Sequence, residues 1–357
     1  LGCRNGSVRA LSEYNLAELR EELAGEGFKP VHAATLLRAY YAQESDRPFD
    51  GLLVPPPLAA LAQESVDRLG AQVLLRQESQ DGTAKLLIGL ADGKRVESVL
   101  MPDYRDDRAA GCISSQVGCA MGCDFCATAQ NGFLRNLTAG EIVSQFLALR
   151  REARRSGRRL QTVVFMGMGE PMQNLDAVIE AARRMAGNDL GGLGWRQITV
   201  STVGVVPGID ALASSGLGVH LAISLHAPDD ATRSRLLPMG RKFGIEEILS
   251  AADRYQAATG RPVTIQYCLL RGVNDSPGQA RQLAALLAKR RMHVNLLRYN
   301  PTGTSLRGFT YETSPEEASL EFLEILKGQG VVAHFRRPRG RDIDAACGQL
   351  RNRAAAT

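Results

Sequence analysis

The sequence predicts an α/β protein: a parallel sheet alternating with helices, open or closed into a barrel, preceded by a small N-terminal helical accessory domain and a β-meander. Three observations carry this prediction. Apolar β-type runs at 162–166, 198–202, 219–225, 263–269 and 293–298 alternate with helical stretches, which is the pattern of βαβ units. Between residues 72 and 101, three further β-type runs are separated by Asp81-Gly82 and Asp92-Gly93, both strong hairpin signals. The 357 residues leave room for one barrel of about 250 residues plus a smaller module.

In chain order, Leu16, Leu19 and Leu23 are spaced to line one helix face, and Pro30 opens a second helix carrying Leu36, Leu37 and Tyr40. Pro55, Pro56 and Pro57 stiffen a connection into another short helix. The meander then runs over Gln72–Ser79, Ala84–Leu90 and Arg95–Met101. Thr138 with Glu141 forms a capping box opening the first helix of the alternating region. The division expected is an accessory domain over 1–70, a meander connection over 71–104, the barrel over 105–335 and a tail over 336–357. In such a sheet the chemistry belongs at the C-terminal ends of the strands.

Composition narrows the function. The 44% hydrophobic and 23% charged content is ordinary for a globular chain, and no apolar stretch approaches the roughly 20 residues of a membrane helix. Leu1–Tyr14 lack the apolar core of a signal peptide, so the cytoplasm is expected. The net charge of +5 is unevenly placed: residues 331–357 hold six arginines against two aspartates, and more arginines cluster between Arg150 and Arg159. Either cluster suits a polyanion such as RNA; a solvated helix end is the bland alternative.

Seven cysteines, four of them within fifteen residues, do not resemble a secreted disulfide framework. Cys119-Ala-Met-Gly-Cys123-Asp-Phe-Cys126 puts three thiolates within eight residues, and Gly118 and Gly122 let the backbone curl around a compact inorganic core. Three protein ligands leave one metal position open for a substrate, whereas structural zinc sites fill every position and use paired Cys-x-x-Cys motifs. An iron–sulfur cluster is therefore favoured over zinc or inert buried thiols. Phe165-Met-Gly-Met-Gly-Glu170-Pro171 follows a predicted strand; taken alone, such a glycine-rich turn is often mere packing.

The Cys-x3-Cys-x2-Cys spacing resembles the signature of radical S-adenosylmethionine (SAM) enzymes. Cys112-Ile-Ser-Ser-Gln-Val-Gly-Cys119, Asn131-Gly-Phe-Leu-Arg-Asn-Leu-Thr138 and Asp342-Ile-Asp-Ala-Ala-Cys347-Gly-Gln-Leu350 together resemble the RlmN/Cfr family of radical SAM RNA adenine methyltransferases, from about Val96 to Leu350. The resemblance implies a partial (β/α) radical SAM barrel, one [4Fe-4S] cluster on Cys119, Cys123 and Cys126, and two SAM molecules per turnover. It implies that Cys347 accepts a methyl group from one SAM and loses a hydrogen atom to the radical made from the other, after which the carbon radical adds to the base. Cys112 then helps release the RNA crosslink and forms a transient disulfide with Cys347, and Glu97 matches the acid/base residue. The SAM pocket matches at Gly169, Glu170, Ser201, Ser224, Leu225, His226 and Asn300. Without that context His226 reads as a structural histidine, Ser201 as a turn former, Glu97 as a strand surface charge, Cys112 as a buried strand residue and Cys347 as a reduced tail thiol. Cys3 and Cys268 match nothing and read as structural or incidental.

The expected reaction is methylation at C2 of an adenosine in 23S ribosomal RNA, with transfer RNA as a further substrate, a flavodoxin- or ferredoxin-type electron donor and a monomeric enzyme. C8 methylation is the nearest alternative, and a non-catalytic iron–sulfur RNA-binding redox sensor the alternative of another class. The sequence departs from the family pattern in three places: Thr302-Gly-Thr-Ser305 replaces a Phe-Pro-Gly type loop, Arg341 stands where an acidic residue is usual, and Val31-His-Ala-Ala34 with Tyr40-Tyr41 replaces the usual Phe and Trp.

Overall fold

The structure is a computed structural model that describes residues 9–42, 47–69 and 72–351; Cys3 and the last six residues of the tail lie outside it. The N-terminal module is helical, with α1 (Leu16–Gly25), α2 (His32–Ala42) and α3 (Pro56–Leu69). Asn15 caps α1 by accepting from the Glu18 amide at 2.9 Å, and Glu18 returns the bond to the Asn15 amide at 3.1 Å, so two orphan donors are satisfied. Pro56 opens α3 at the position where a missing N–H costs nothing. Tyr40 and Tyr41 are buried and meet edge to face at 5.9 Å; these two rings fill the module's core in the absence of the family's Phe and Trp.

The meander forms as predicted: β1 (Gln72–Glu78), β2 (Ala84–Gly89) and β3 (Arg95–Pro102) pair antiparallel. Gly82 and Gly93 take φ of 78° and 77° in the two turns, the left-handed conformation that glycine tolerates. The meander is part of the barrel sheet. β3 pairs antiparallel with β4 (Arg108–Cys112), and β4 pairs parallel with β7 (Arg159–Phe165). From there β8 (Ile198–Thr202), β9 (His220–Ser224), β10 (Val263–Leu269), β11 (Met292–Arg298) and β12 (Ala333–Phe335) continue in parallel. The sheet order is β1-β2-β3-β4-β7-β8-β9-β10-β11-β12, with β1 and β12 at its open edges, and β5 (Gln116–Gly118) pairs separately with β6 (Phe133–Asn136). This is the partial barrel expected.

Helices α4 (Ala127–Gln130), α5 (Ala139–Arg155), α6 (Leu175–Ala186), α7 (Val206–Ser214), α8 (Asp230–Leu236), α9 (Ile245–Thr259), α10 (Pro277–Leu287) and α11 (Glu316–Gly328) connect the strands. The Thr138–Glu141 capping box forms at the start of α5. Helix α5 buries Ile142, Phe146 and Leu149 and lies so close to β4 that a Cβ at Gly111 would come within 2.9 Å of Leu149 Cδ1. Of the arginine cluster, Arg150 faces inward, donating to Tyr41 O at 2.8 Å and to Gly191 O, and burial pulls it down to about 10. It ties α5 to the accessory module, whereas Arg154, Arg155 and Arg159 are exposed. Among the described residues, no helix is long and apolar enough to cross a membrane.

Candidate active site

The three cysteines occupy the loop between β5 and α4, within the stretch closed off by β6. Gly118, at φ 79°, lies so close to Gly132 that a Cβ would overlap its carbonyl, and Cys119 N donates to that carbonyl at 2.8 Å. Asp124, between the second and third cysteines and almost fully buried, accepts from Tyr311 Oη at 2.6 Å, Ser305 Oγ at 3.1 Å and Arg307 N at 3.3 Å. The loop at 302–311 therefore braces the cysteine loop through hydroxyls, which is the work done here by the segment departing from Phe-Pro-Gly. Cys119, Cys123 and Cys126 all line one cavity. Burial pushes Cys119 up to about 12 and raises Cys123 and Cys126; neighbouring cluster thiolates add to the shift at Cys119 and Cys123, and Cys347 to that at Cys126.

These thiols fit the cluster that the cysteine spacing implies. All three line the same cavity, so one cluster could draw its protein ligands from this single loop. A trio of thiols that burial keeps protonated exchanges protons for metal when it is loaded.

The cavity has about 1020 Å³ of empty volume and opens to solvent. Gly169 and Glu170, Ser201, Ser224, His226 and Asn300 line it, at or beyond the C-terminal ends of their strands. Gly169, at φ 98°, has no room for a side chain against Gln116. The Glu170 carboxylate accepts from Val203 N at 2.9 Å and Met172 N at 3.1 Å, yet burial raises it to about 7. Ser201 Oγ donates to Phe165 O at 2.6 Å. His226 takes φ 59°, a strained backbone for a non-glycine residue. Its Nδ1 accepts from Cys268 N at 3.0 Å, and its carbonyl accepts from Asn274 Nδ2 at 2.7 Å. Burial lowers its pKa to about 3, helped by the Arg233 cation, so the ring is neutral and presents Nε2–H. Asn300 Oδ1 accepts from Arg341 Nε at 2.8 Å, so the family-atypical arginine reaches a pocket residue. Leu225, expected in the pocket, lies just past β9, fully buried with its N–H bonded to Gln266 O, and does not line the cavity.

A second cavity adjoins the first, and both share Cys126, Arg336, Cys347 and Gly348. It is lined by Cys112 on β4 and by Arg336, Arg337 and Arg339 at its rim. Cys347 is an exposed free thiol and Cys112 a buried free thiol; burial, then the charge of Cys347, pushes Cys112 up to about 12. Arg336 Nη1 lies 3.2 Å from Met166 Sδ and 4.0 Å from Cys347 Sγ.

The tail that carries Cys347 is strapped on both sides. Upstream, Asp342 accepts from Ser79 Oγ at 2.5 Å and Gln80 N at 3.1 Å, Gly340 N donates to Asp81 at 3.1 Å, and Lys85 Nζ reaches Asp344 O at 3.4 Å. Downstream, Ala127 N donates to Gly348 O at 2.7 Å, Thr128 Oγ1 to Leu350 O at 2.8 Å, and Arg351 N to Glu97 Oε2 at 2.7 Å. Glu97 lies behind this tail, 3.4 Å from Lys85 Nζ, and lines neither cavity.

Four residues of this site were not singled out from sequence. Gln145 bonds Ser98 and both the amide and the carbonyl of Ser114, and its place on the apolar face of α5 is a signal that could have revealed it. Asp124 sits inside the motif itself. Gln266, 6% exposed, lines the cavity with its Oε1 unpartnered. Arg233, 0% exposed, donates to Val203 O and Phe243 O, and its charge reaches Cys123.

Comparison with known proteins agrees with this geometry. Residues 113–284 match the model of the Radical SAM superfamily. The chain is 63% identical over 96% of its length, and 96% of the relative's, to a probable dual-specificity RNA methyltransferase RlmN 1 of Opitutus terrae. It is 43% identical to an RlmN of Rhodopirellula baltica, over 96% of this chain and 90% of that one. The crystal structure of a radical SAM methyltransferase from Sphaerobacter thermophilus superposes with a TM-score of 0.89 at 42% identity, covering 97% of this chain and 100% of that one. At such identity and coverage, with the cysteine loop, the strand-end pocket and the cysteine-bearing tail on one cavity system, the chain belongs to the RlmN family of radical SAM proteins.

Proposed function

We propose that this chain methylates C2 of an adenosine in 23S ribosomal RNA, with transfer RNA as a second substrate, by way of a methylated Cys347. The observation that carries the reading is the position of Cys347 where two cavities meet, with the cluster cysteines around one and Cys112 and an arginine rim around the other. The names of the relatives, RNA methyltransferases, support it. When bound, a [4Fe-4S] cluster on Cys119, Cys123 and Cys126 supplies, with SAM, a radical able to abstract hydrogen. The proposed stoichiometry is two SAM molecules per turnover, one as methyl donor and one as radical source.

Within that scheme Glu170, Ser201, Ser224, His226 and Asn300 orient SAM, with the Glu170 carboxylate accepting from its amino group. Cys347 presents its thiol to the cavity, and Cys112 takes up its sulfur in a transient disulfide when the product leaves. Glu97 holds or donates a proton, a role that requires release of the hold that Lys85 and Arg351 N now have on its carboxylate. The accessory segments 1–70 and 71–104 support a catalytic barrel over 105–335 and a methyl-carrying tail over 336–357. A flavodoxin- or ferredoxin-type donor, a monomeric state and a cytoplasmic setting complete the reading.

The test is anaerobic reconstitution with SAM, reductant and unmodified ribosomal RNA, followed by mass spectrometry of the nucleosides. The expected product is 2-methyladenosine, abolished by Cys347→Ala. Finding 8-methyladenosine instead would move the target atom, and SAM cleavage without RNA methylation would sink the substrate assignment. A verified four-iron protein that leaves SAM intact would replace the enzyme with a redox sensor.

A further inference from the structure

The rim of the second cavity carries a feature that the catalytic scheme does not use. Tyr104, in the turn between β3 and β4, is 78% exposed. The guanidinium carbon of Arg337 lies 5.5 Å from its ring centroid, within the range of a cation–π contact. Arg337 itself lines the cavity that leads to Cys112 and Cys347, beside Arg336 and Arg339. An exposed aromatic ring costs solvation and contributes nothing to the core, while the cation behind one face fixes its orientation and leaves the other face open.

We propose that Tyr104, held by Arg337, is a stacking platform for an unpaired RNA nucleotide neighbouring the adenosine that enters the cavity. The inference rests on the RNA-methylating reading and adds to it the residue that holds the flanking base. Single-stranded nucleic acid is bound by an aromatic ring for the base and a basic groove for the backbone, and a reactive base is drawn out of its stack into such a pocket. The charge pattern separates the two tasks. The turn around Tyr104 mixes Asp103, Asp106 and Asp107 with Arg105 and Arg108; Asp103 accepts from the Tyr104 amide at 2.7 Å, and Asp107 pairs with Arg108 at 3.9 Å. With three carboxylates against two guanidiniums the turn offers phosphate no net attraction, whereas 336–339 holds three arginines and no acid, so the base lies on Tyr104 and the phosphates lie toward Arg337 and Arg339.

The test uses the cluster-loaded full chain and an unmodified large-subunit ribosomal RNA transcript. Because Tyr104 is exposed, Tyr104→Ala is expected to leave melting temperature, SAM cleavage and kcat unchanged while raising RNA Kd and KM about tenfold, with the salt dependence of binding unaltered. Arg337→Gln is expected to weaken binding and to lower the salt slope by about one. Tyr104→Phe should bind like wild type, and Tyr104→Trp, made with Trp195→Phe, should lose fluorescence on stacking when RNA is added. Tyr104→Ala binding within twofold of wild type, or an unquenched Tyr104→Trp, would overturn the platform and leave the methylation reading intact. A wild-type enzyme that neither binds nor methylates the transcript would instead overturn the reading on which the platform rests.

Discussion

At the scale of single residues, the site sets buried ionisable groups against their preferred charge. Glu170 is the clearest case, because burial raises it from 4.5 to about 7 despite two backbone donors. A carboxyl whose folded pKa lies above its unfolded one binds its proton more tightly when folded, so its penalty is absent below pH 4.5 and complete above pH 7. In the cluster-free protein, the stability difference between Glu170→Gln and wild type is therefore expected to shift by about 3 kcal/mol in favour of Gln from pH 4.5 to 8. Urea unfolding at a series of pH values measures this, and a flat difference would show that Glu170 titrates alike in the folded and unfolded chain. Lys85 and Glu97 form a buried pair at 3.4 Å. Lys85→Met removes the cation beside the Glu97 carboxylate, which keeps its bond from Arg351 N, and releases Asp344, so a loss of about 3 kcal/mol is expected, with faster alkylation of Cys347 as the local signature. Unchanged alkylation would mean that Lys85 does not help position the tail.

At the scale of elements, the cysteine loop depends on the backbone around it as much as on its thiols. Gly118→Ala must move the loop away from Gly132 and abandon φ 79°. A cost of about 1–3 kcal/mol is expected, together with a fall in iron bound per chain on reconstitution; full iron content would show that the loop tolerates the shift. How legible each element was follows from its side chains. β10 was read to the residue, Val263–Leu269, because its apolar run is long and bounded. β4 was missed: Arg108-Ala-Ala-Gly-Cys112 has small residues where strands usually carry β-branched ones, since α5 needs the space. β12 spans three residues, too few to show a period. The pocket residues were legible through motif, apart from Gln266 and Arg233, whose place in the site arises only from the packing of separate strands and helices.

At the scale of the whole molecule, the meander and the tail are one device. β3 presents Glu97, the β1–β2 turn presents Ser79 and Asp81, and between them they hold residues 340–351 over the barrel. The position of Glu97 shows the limit of local reading. Its motif suggested an exposed strand charge or an acid/base group, and only the return of a tail more than 250 residues away makes it a buried anchor. Asp342→Ala removes two bonds from the Ser79–Gln80 turn without touching the cavity. Limited proteolysis is expected to cut sooner within 338–346 while SAM binding is preserved; an unchanged digestion pattern would mean that the other straps suffice.

The partners of the straps between meander and tail are 254 to 263 residues apart in the chain. Contacts so distant in sequence form late in folding, because the entropy of closing the long loop must be met before the contact can reward it. The wall that bears Cys347 is therefore expected to be the last part of the cavity system to close as the chain folds, after the barrel and its cysteine loop.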